Sequence, residues 1–334
     1  MGNIPSAGGT TTSFGNTPQA KDDWYTLTED ALNTATSSYN SSNYILALDV
    51  MANDLGGNAK SLFSIDDAEG NPITDLSKTD LCTNTNYSKW ETTDDGNWIR
   101  INNGKIEFKL ADPAHPNDFT FARDINSLGA MEMVDDKFTY AIKLGNGTLS
   151  WATVHINIAG LNDAASITGT ASGCVVEAGG VNNTIPGSPI ASGDLDVTDA
   201  DTGEAGFRAP GTGSLSGPYG AFTFDTATGN WTFTLNNSSP QTQALAVGEI
   251  AHQTLTITSL DGSATQTIDV SIKGTNDAPV ITSQAQAGTV TEDSVLSVTG
   301  QVTASDVDHG AHATFTGNAA DTYGTFTVDP DTGV

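Results

Sequence analysis

The chain has 334 residues, room for two or three domains, and 37% of them are apolar, below the globular average of about 45–50%. Twelve Lys and Arg stand against 40 Asp and Glu, a formal net charge of −28, and only Arg208 and Lys273 are basic beyond Asp163. Nucleic acid is thereby excluded as a partner, because phosphate recognition needs clustered basic residues, and no apolar run approaches the roughly 20 residues of a membrane helix, so no membrane insertion is expected.

Residues 1–20 are a polar, Gly- and Thr-rich arm with neither a basic nor an apolar stretch. They do not read as a conventional secretory signal, and on that ground alone the chain would belong to the cytoplasm. From there on, apolar residues recur with a period of two. WIRINNGKIEFKL (Trp98–Leu110) reads as strand, Gly-bearing turn, strand, and AFTFDTATGNWTFTL (Ala221–Leu235) has the same layout. Leu255 with Ile257, and Ile268 with Val270 and Ile272, continue the alternation. Such strands bury one face each. MEMVDD (Met131–Asp136) is expected to make one helical turn at most. The pattern predicts an all-β chain of tandem immunoglobulin/cadherin-like antiparallel β-sandwiches, the last one incomplete. Cys82 and Cys174 fall in different predicted domains and neither has a CxxC partner, so no intrachain disulfide is expected.

Internal repeats set the boundaries. SGDLDVTDAD (Ser192–Asp201) matches TGQVTASDVD (Thr299–Asp308) at an offset of 107 residues, and VVEAGG around Glu177 answers VTEDS around Glu292. YGAFTFDTATGNW (Tyr219–Trp231) returns as YGTFTVDPDTGV (Tyr323–Val334), and the end of GTLSWATVHINIAGLNDAA (Gly147–Ala165) returns in GSATQTIDVSIKGTNDAP (Gly262–Pro279). The predicted organisation is a polar arm at 1–20, a divergent sandwich at 21–163, a second at 164–278, and the N-terminal half of a further repeat at 279–334.

GTNDAP, DVTDAD, TED and YGTFTVDPDTGV resemble the VCBS repeat, the cadherin-like module of very large bacterial surface adhesins of the type I-secreted, RTX type. The resemblance is strongest over 164–334. Residues 21–163, with PQAKDDWYTLTED and LDVMANDLGG, are similar to the cadherin-like domains that accompany these repeats, but carry an insertion around ADPAHPNDFTFARD and lack a DxD after MAND. The resemblance implies an extracellular location on the bacterial cell surface. Type I substrates carry their export signal at the far C-terminus, so the missing N-terminal signal stops arguing for the cytoplasm.

A hard cation such as Ca²⁺ takes about six to eight oxygens, which carboxylates, Asn side chains and backbone carbonyls supply. A DxD loop offers two carboxylates, an NDA linker adds an Asn oxygen and an Asp, and a Glu near the first strand closes the set. Two calcium joints are therefore expected. One comprises Asn162 and Asp163 with Glu177, Asp199 and Asp201; the other, Asn276 and Asp277 with Glu292, Asp306 and Asp308. DxD and Asn-Asp are also ordinary turn chemistry; recurrence in the same order in two units is what favours calcium. Among weaker signals, IDDAEGN and TTDDGNW are acidic turns, and His309 and His312 are expected in a solvated loop. Trp24, Trp90, Trp98 and Trp151 are expected in cores rather than on a sugar-stacking platform.

HExxH, GxSxG and a glycine-rich phosphate loop are all missing, so no enzyme is expected. The favoured reading is a non-enzymatic extracellular adhesin segment, a calcium-stiffened stalk that presents or extends a surface or biofilm adhesion protein. Its partner would be a cell-surface, glycan or matrix ligand that the sequence does not name. The alternative is a self-assembling fibre or surface-layer subunit, in which a strand from a neighbouring chain completes the C-terminal sandwich. That sandwich lacks counterparts of WTFTL, TLTITSL and QTIDVSI; an interrupted reading frame is the other expected origin of the shortfall.

Overall fold

The structure is a computed structural model that describes residues 19–66, 89–93, 95–115, 118–180 and 185–334. Cys82, most of the N-terminal arm, and parts of the two acidic turns IDDAEGN and TTDDGNW lie outside the described residues. The chain forms two compact units: the part up to Asp163 together with Ala200–Gly203, and Ala164–Asp199 together with Glu204–Val334.

The first unit contains β1 (Asp23–Thr28), β2 (Ser37–Asn40), β3 (Ile45–Leu48), β4 (Ser61–Asp66), β5 (Glu91–Thr92), β6 (Trp98–Asn102), β7 (Lys105–Ala111), β8 (Ala122–Arg123), β9 (Met133–Lys143) and β10 (Leu149–Ala159). One sheet has the order β1-β10-β9-β4; the other is β2-β3-β7-β6-β5, with β8 beside β7. β1 runs parallel to β10 and the remaining pairs are antiparallel. Alternate residues point inward, so Leu46, Ile99, Phe108, Phe138, Val154 and Ile156 are fully buried between the sheets. Each such side chain contributes about 1.5–3 kcal/mol relative to exposure.

Of MEMVDD, expected to make one helical turn at most, Met133 opens the eleven-residue strand β9. Val134, Asp136 and Phe138 all face inward, and the acidic residue in the middle hid the alternation. Asp136 is tolerated there because its Oδ2 accepts hydrogen bonds from Thr93 Oγ1 (2.7 Å) and Asn97 Nδ2 (2.8 Å).

The second unit contains β11 (Ser166–Gly169), β12 (Ser172–Val176), β13 (Ile190–Thr198), β14 (Gly220–Phe224), β15 (Asn230–Leu235), the short α1 (Pro240–Gln243), β16 (Ile250–Thr258) and β17 (Thr265–Lys273). Its sheets are β11-β13-β15-β14 and β12-β17-β16, and a bridge from Phe207 to Ser259 extends the latter beside β16. Both units thus follow one immunoglobulin/cadherin-like plan, in which an early strand, β1 in the first and β12 in the second, runs parallel to the last. In the second unit the plan is held by Trp231, 1% exposed, whose Nε1–H donates to Thr170 O at 2.7 Å. Gly193 lies opposite it in register, and a Cβ there would stand 2.7 Å from the indole.

The parallel pairing fixes the poles of the second sandwich. β11 begins opposite Thr198, and Ala165 N–H donates to Ser263 Oγ (2.8 Å) in the β16–β17 turn, which defines the entry pole. β12 ends beside Lys273, where β16 starts, which defines the exit pole.

Beyond Pro279 come β18 (Val280–Ile281), β19 (Ala304–Ser305), β20 (Ala319–Asp321) and β21 (Gly324–Phe326). β18 pairs with β19 as β11 pairs with β13. The repeated sequences make the same turn: Gly229 N–H donates to Asp225 O (2.8 Å) and Gly333 N–H to Asp329 O (2.9 Å), both glycines at positive φ. The apolar side chains Val280, Ile281, Leu296, Val298 and Phe326 remain more than half exposed.

Candidate metal centre

At the exit pole of the second unit the buried carboxylates of Glu177 and Asp277 meet the half-buried carboxylate of Asp308. Glu177 follows β12 directly and is fully buried; its Oε2 accepts from Thr275 N–H (3.2 Å) and its Oε1 from Gln243 Nε2 (3.0 Å). Asp277, 2% exposed, accepts from Gly180 N–H through Oδ1, and its own N–H donates to Asp308 Oδ2 at 2.8 Å. A side chain at position 180 would collide with that carboxylate, so glycine there permits the approach. Asp308 is oriented by its N–H, which donates to Asp306 Oδ1 at 3.1 Å, so the first Asp of the DxD shapes the loop that aims the second. Asn276 Nδ2 donates to Asp277 O (2.6 Å) and closes the linker turn.

Electrostatically the site is strained. Burial, reinforced by Asp277 and Asp308, pushes Glu177 up to about 7, against hydrogen bonds from Thr275 and Gln243. Asp308 is raised as well, by burial first and then by the carboxylates of Asp277, Asp306 and Glu249. Among the described residues, the leading causes of both shifts include no Lys or Arg. Asp277 Oδ2 and Asp308 Oδ1 are buried without a hydrogen-bond partner among the described residues. Buried polar atoms are nearly always satisfied, so the two orphaned carboxylate oxygens are chemically suited to a hard divalent cation, although the oxygens of Glu177, Asp277 and Asp308 do not all lie within 4.8 Å of one another.

The first unit carries a related set. Glu29, 2% exposed, follows β1 as Glu177 follows β12, and its carboxylate accepts from the N–H groups of Leu128 (3.0 Å) and Leu161. Burial raises its pKa, and the carboxylates of Asp201 and Asp163 raise it further. Asp163 N–H donates to Asp201 Oδ2 at 2.9 Å, repeating the Asp277–Asp308 bond, and Asn162 Nδ2 bonds Asp163 O as Asn276 bonds Asp277 O. At the entry pole of the second unit, Asp199 meets Glu204 and Asp261 with ligand atoms within 4.8 Å of one another, all half-buried.

The structure therefore keeps the pairings Asp163 with Asp201 and Asp277 with Asp308, but regroups the glutamates. Glu177 was expected with Asp163, Asp199 and Asp201; it lies at the opposite pole of its sandwich from Asp199, beside Asp277 and Asp308. Extended chain explains the correction: about ten residues at roughly 3.3 Å each carry β11 and β12 from one pole to the other. Glu292 was expected with Asp277; it is exposed in the Thr291–Val295 turn and is not among the groups acting on Glu177 or Asp308. Glu29, Glu204 and Asp261 were missed. The signal for Glu29 was present in YTLTED, the counterpart of the VxE segments. His309 sits in the DxD loop with Nδ1 3.0 Å from Glu249 Oε2, and His312 is exposed.

No protein-family model matches the chain, and no curated protein matches it. Among solved structures it is similar to PcdhgB3 EC1-4, at 14% identity and a TM-score of 0.33 over 93% of this chain and 65% of that one. It is similar also to the Protocadherin GammaB4 extracellular domain (15%, TM-score 0.34, 93% and 42%) and to human CDH23 EC21-23 (14%, TM-score 0.34, 93% and 86%). The chain spans less than two thirds of the length of the first two. At these scores the fold assignment rests on the strand order itself. Among the described residues, no helix is long and apolar enough to cross a membrane.

Proposed function

We propose that this chain is a calcium-stiffened, non-enzymatic segment of an extracellular adhesion protein, of the VCBS-repeat kind found in stalks on bacterial cell surfaces. The observation that carries the reading is the meeting of Glu177, Asp277 and Asp308, with Asp277 Oδ2 and Asp308 Oδ1 buried and without a hydrogen-bond partner among the described residues. These residues come from the end of β12, the linker and the DxD loop of the following repeat. A cation bound by all three ties that repeat to the exit pole. When bound, Ca²⁺ supplies the positive charge the site lacks; the protein supplies the oxygens and, through Gly180, Thr275 and Gln243, their orientation. The matching set Glu29, Asp163 and Asp201 supports the same arrangement after the first sandwich.

Extracellular calcium modules bind at roughly 10⁻⁴–10⁻³ M, so a few mM calcium stabilises each site by about 1–2 kcal/mol. That is small for a fold and sufficient to restrain a linker. The test combines calorimetric calcium titration with small-angle scattering in calcium and then in EDTA. Millimolar-range binding is expected, with a shorter, more flexible particle in EDTA. Identical scattering in both conditions and no heat of binding would refute the reading.

A second reading is supported by the exposed Val280, Ile281, Leu296, Val298 and Phe326. In a fibre or surface-layer subunit, a neighbouring chain would cover this apolar face with a strand. Light scattering decides: concentration-dependent oligomers support self-association, and a monodisperse monomer at high concentration removes it.

A further inference from the structure

Strand β1 alternates strictly, with Asp23 and Tyr25 turned into the first sandwich at 7% and 4% exposure, while Trp24 between them points outward and is 70% exposed. The expectation that Trp24 belongs to a core is thus overturned. One face of its indole is covered by the His155 imidazole, with centroids 3.8 Å apart and planes 6° from parallel. β1 is the edge of its sheet, so the other face is open beyond the last strand. Register aligns two rows across three strands: Trp24, His155 and Lys137 in one, Thr26, Asn157 and Asp135 in the next. With strands about 4.8 Å apart, a rigid aromatic plate and a set of hydroxyl, amide, carboxylate and ammonium groups lie within roughly 10 Å.

From this arrangement we infer that the outer face of β1, β10 and β9 is a carbohydrate-binding platform that stacks one hexopyranose ring on Trp24. A pyranose has an apolar C–H face and a polar rim. The open indole face matches the former, and Thr26, Asn157, Asp135 and Lys137 match the latter. A protein partner would need a contiguous apolar patch, and three successive rows of this face offer only two separate large apolar side chains, Trp24 in the first row and Met133 in the third, where Met133 Sδ accepts from Asn157 Nδ2 at 3.5 Å. Lending the indole a pre-stacked imidazole holds its rotamer and lowers the entropy lost on binding. The inference rests on the adhesion reading for its purpose, since it names the ligand class that such a protein would grip, but it does not depend on calcium.

The test uses the full chain with ¹⁵N-labelled tryptophan indoles, titrated with cellohexaose, chitohexaose, laminarihexaose and α-mannohexaose, in calcium and again in EDTA. The Trp24 Nε1–H resonance, assigned by its loss in Trp24→Ala, is expected to shift with at least one of them at a Kd of about 1 mM or tighter. Trp24→Ala should lower that affinity at least about tenfold and Trp24→Phe only a few-fold, both with unchanged calcium binding. Shifts that persist in EDTA separate this site from the calcium reading, so either can fail alone. No Trp24 shift with any of the four sugars at about 10 mM, or a shift driven by protein concentration without sugar, overturns the proposal, the latter assigning the face to self-association.

Discussion

Asp277→Asn should stabilise the second sandwich without calcium and erase most of its response to calcium. Gly180 N–H donates to Asp277 Oδ1, so an asparagine keeps its carbonyl there and its amide nitrogen replaces the buried, unpartnered Oδ2. The substitution removes one of two buried carboxylates that lie beside the half-buried Asp308. Two unit charges about 6 Å apart repel by about 3 kcal/mol at an effective dielectric near 20. Proton uptake by the neighbouring Glu177 already relieves part of this in the wild type, which leaves about 2 kcal/mol to be gained. For a sandwich of this size that is about 10 °C in melting temperature. With calcium the order shifts, because the wild type gains about 1–2 kcal/mol at a few mM while the variant has lost a charged ligand and gains little. Calorimetric melts in EDTA and over a calcium series should therefore show a gap that is widest in EDTA and closes as calcium rises. A variant no more stable than wild type in EDTA, or a gap indifferent to calcium, would refute the crowded-carboxylate account.

Two further outcomes follow from the interiors of the sandwiches. Asp23 shares the Tyr140 hydroxyl, at 2.9 Å, with Asp54 and with the carbonyls of Lys21 and Val50, one hydrogen among several acceptors, and burial pushes it up to about 7. The folded state thus keeps a proton that the unfolded chain loses near pH 4. The resulting stability is present below about pH 4 and is lost as pH rises to about 7, up to about 4 kcal/mol. Asp23→Asn should match wild type at pH 4 and exceed it at pH 8 in urea unfolding; a gap independent of pH contradicts this. Gly193→Ala places a Cβ 2.7 Å from the Trp231 indole and should cost about 1–3 kcal/mol, read as a lower melting temperature of the second sandwich; an unchanged value would mean the indole moves aside freely.

The strands were legible because one buried face imposes a period of two, as in Phe222, Phe233, Ile268 and Val270. β9 was not, because Asp136 occupies a core position and its compensation by Thr93 and Asn97 comes from 39 and more residues away. The Asp–Asp pairings were legible from linker and DxD, which the fold brings together over 38 and 31 residues. The glutamates were misgrouped because proximity in sequence was taken for proximity in space. Only fourteen residues separate Asp163 from Glu177, yet they are spent on extended chain that crosses the sandwich. The rule that would have assigned Glu177 correctly is topological: an early strand parallel to the last must end where the last ends. Trp24 escaped because alternation says which residues share a face, and only the inward Asp23 reveals which face is which.

The two sandwiches hold their clustered carboxylates in different ways. In the first unit, Asp23 and Asp54 are held by the Tyr140 hydroxyl and the Lys21 N–H, and Lys60 Nζ donates to the carbonyls of Met51 (2.6 Å) and Asp54. Protein-borne protons do there what a cation would otherwise do. In the second unit the entry pole gathers Asp199, Glu204 and Asp261 within 4.8 Å, while Arg208 is engaged with the carbonyls of Leu260 (2.7 Å) and Asp261 (2.6 Å). In the first unit, then, Asp23 and Asp54 are held by groups that chelation leaves untouched. On the proposed reading, chelation is expected to act at the exit pole of the second sandwich, where Asp277 Oδ2 and Asp308 Oδ1 lack a hydrogen-bond partner among the described residues, and to leave the surroundings of Trp24 unchanged.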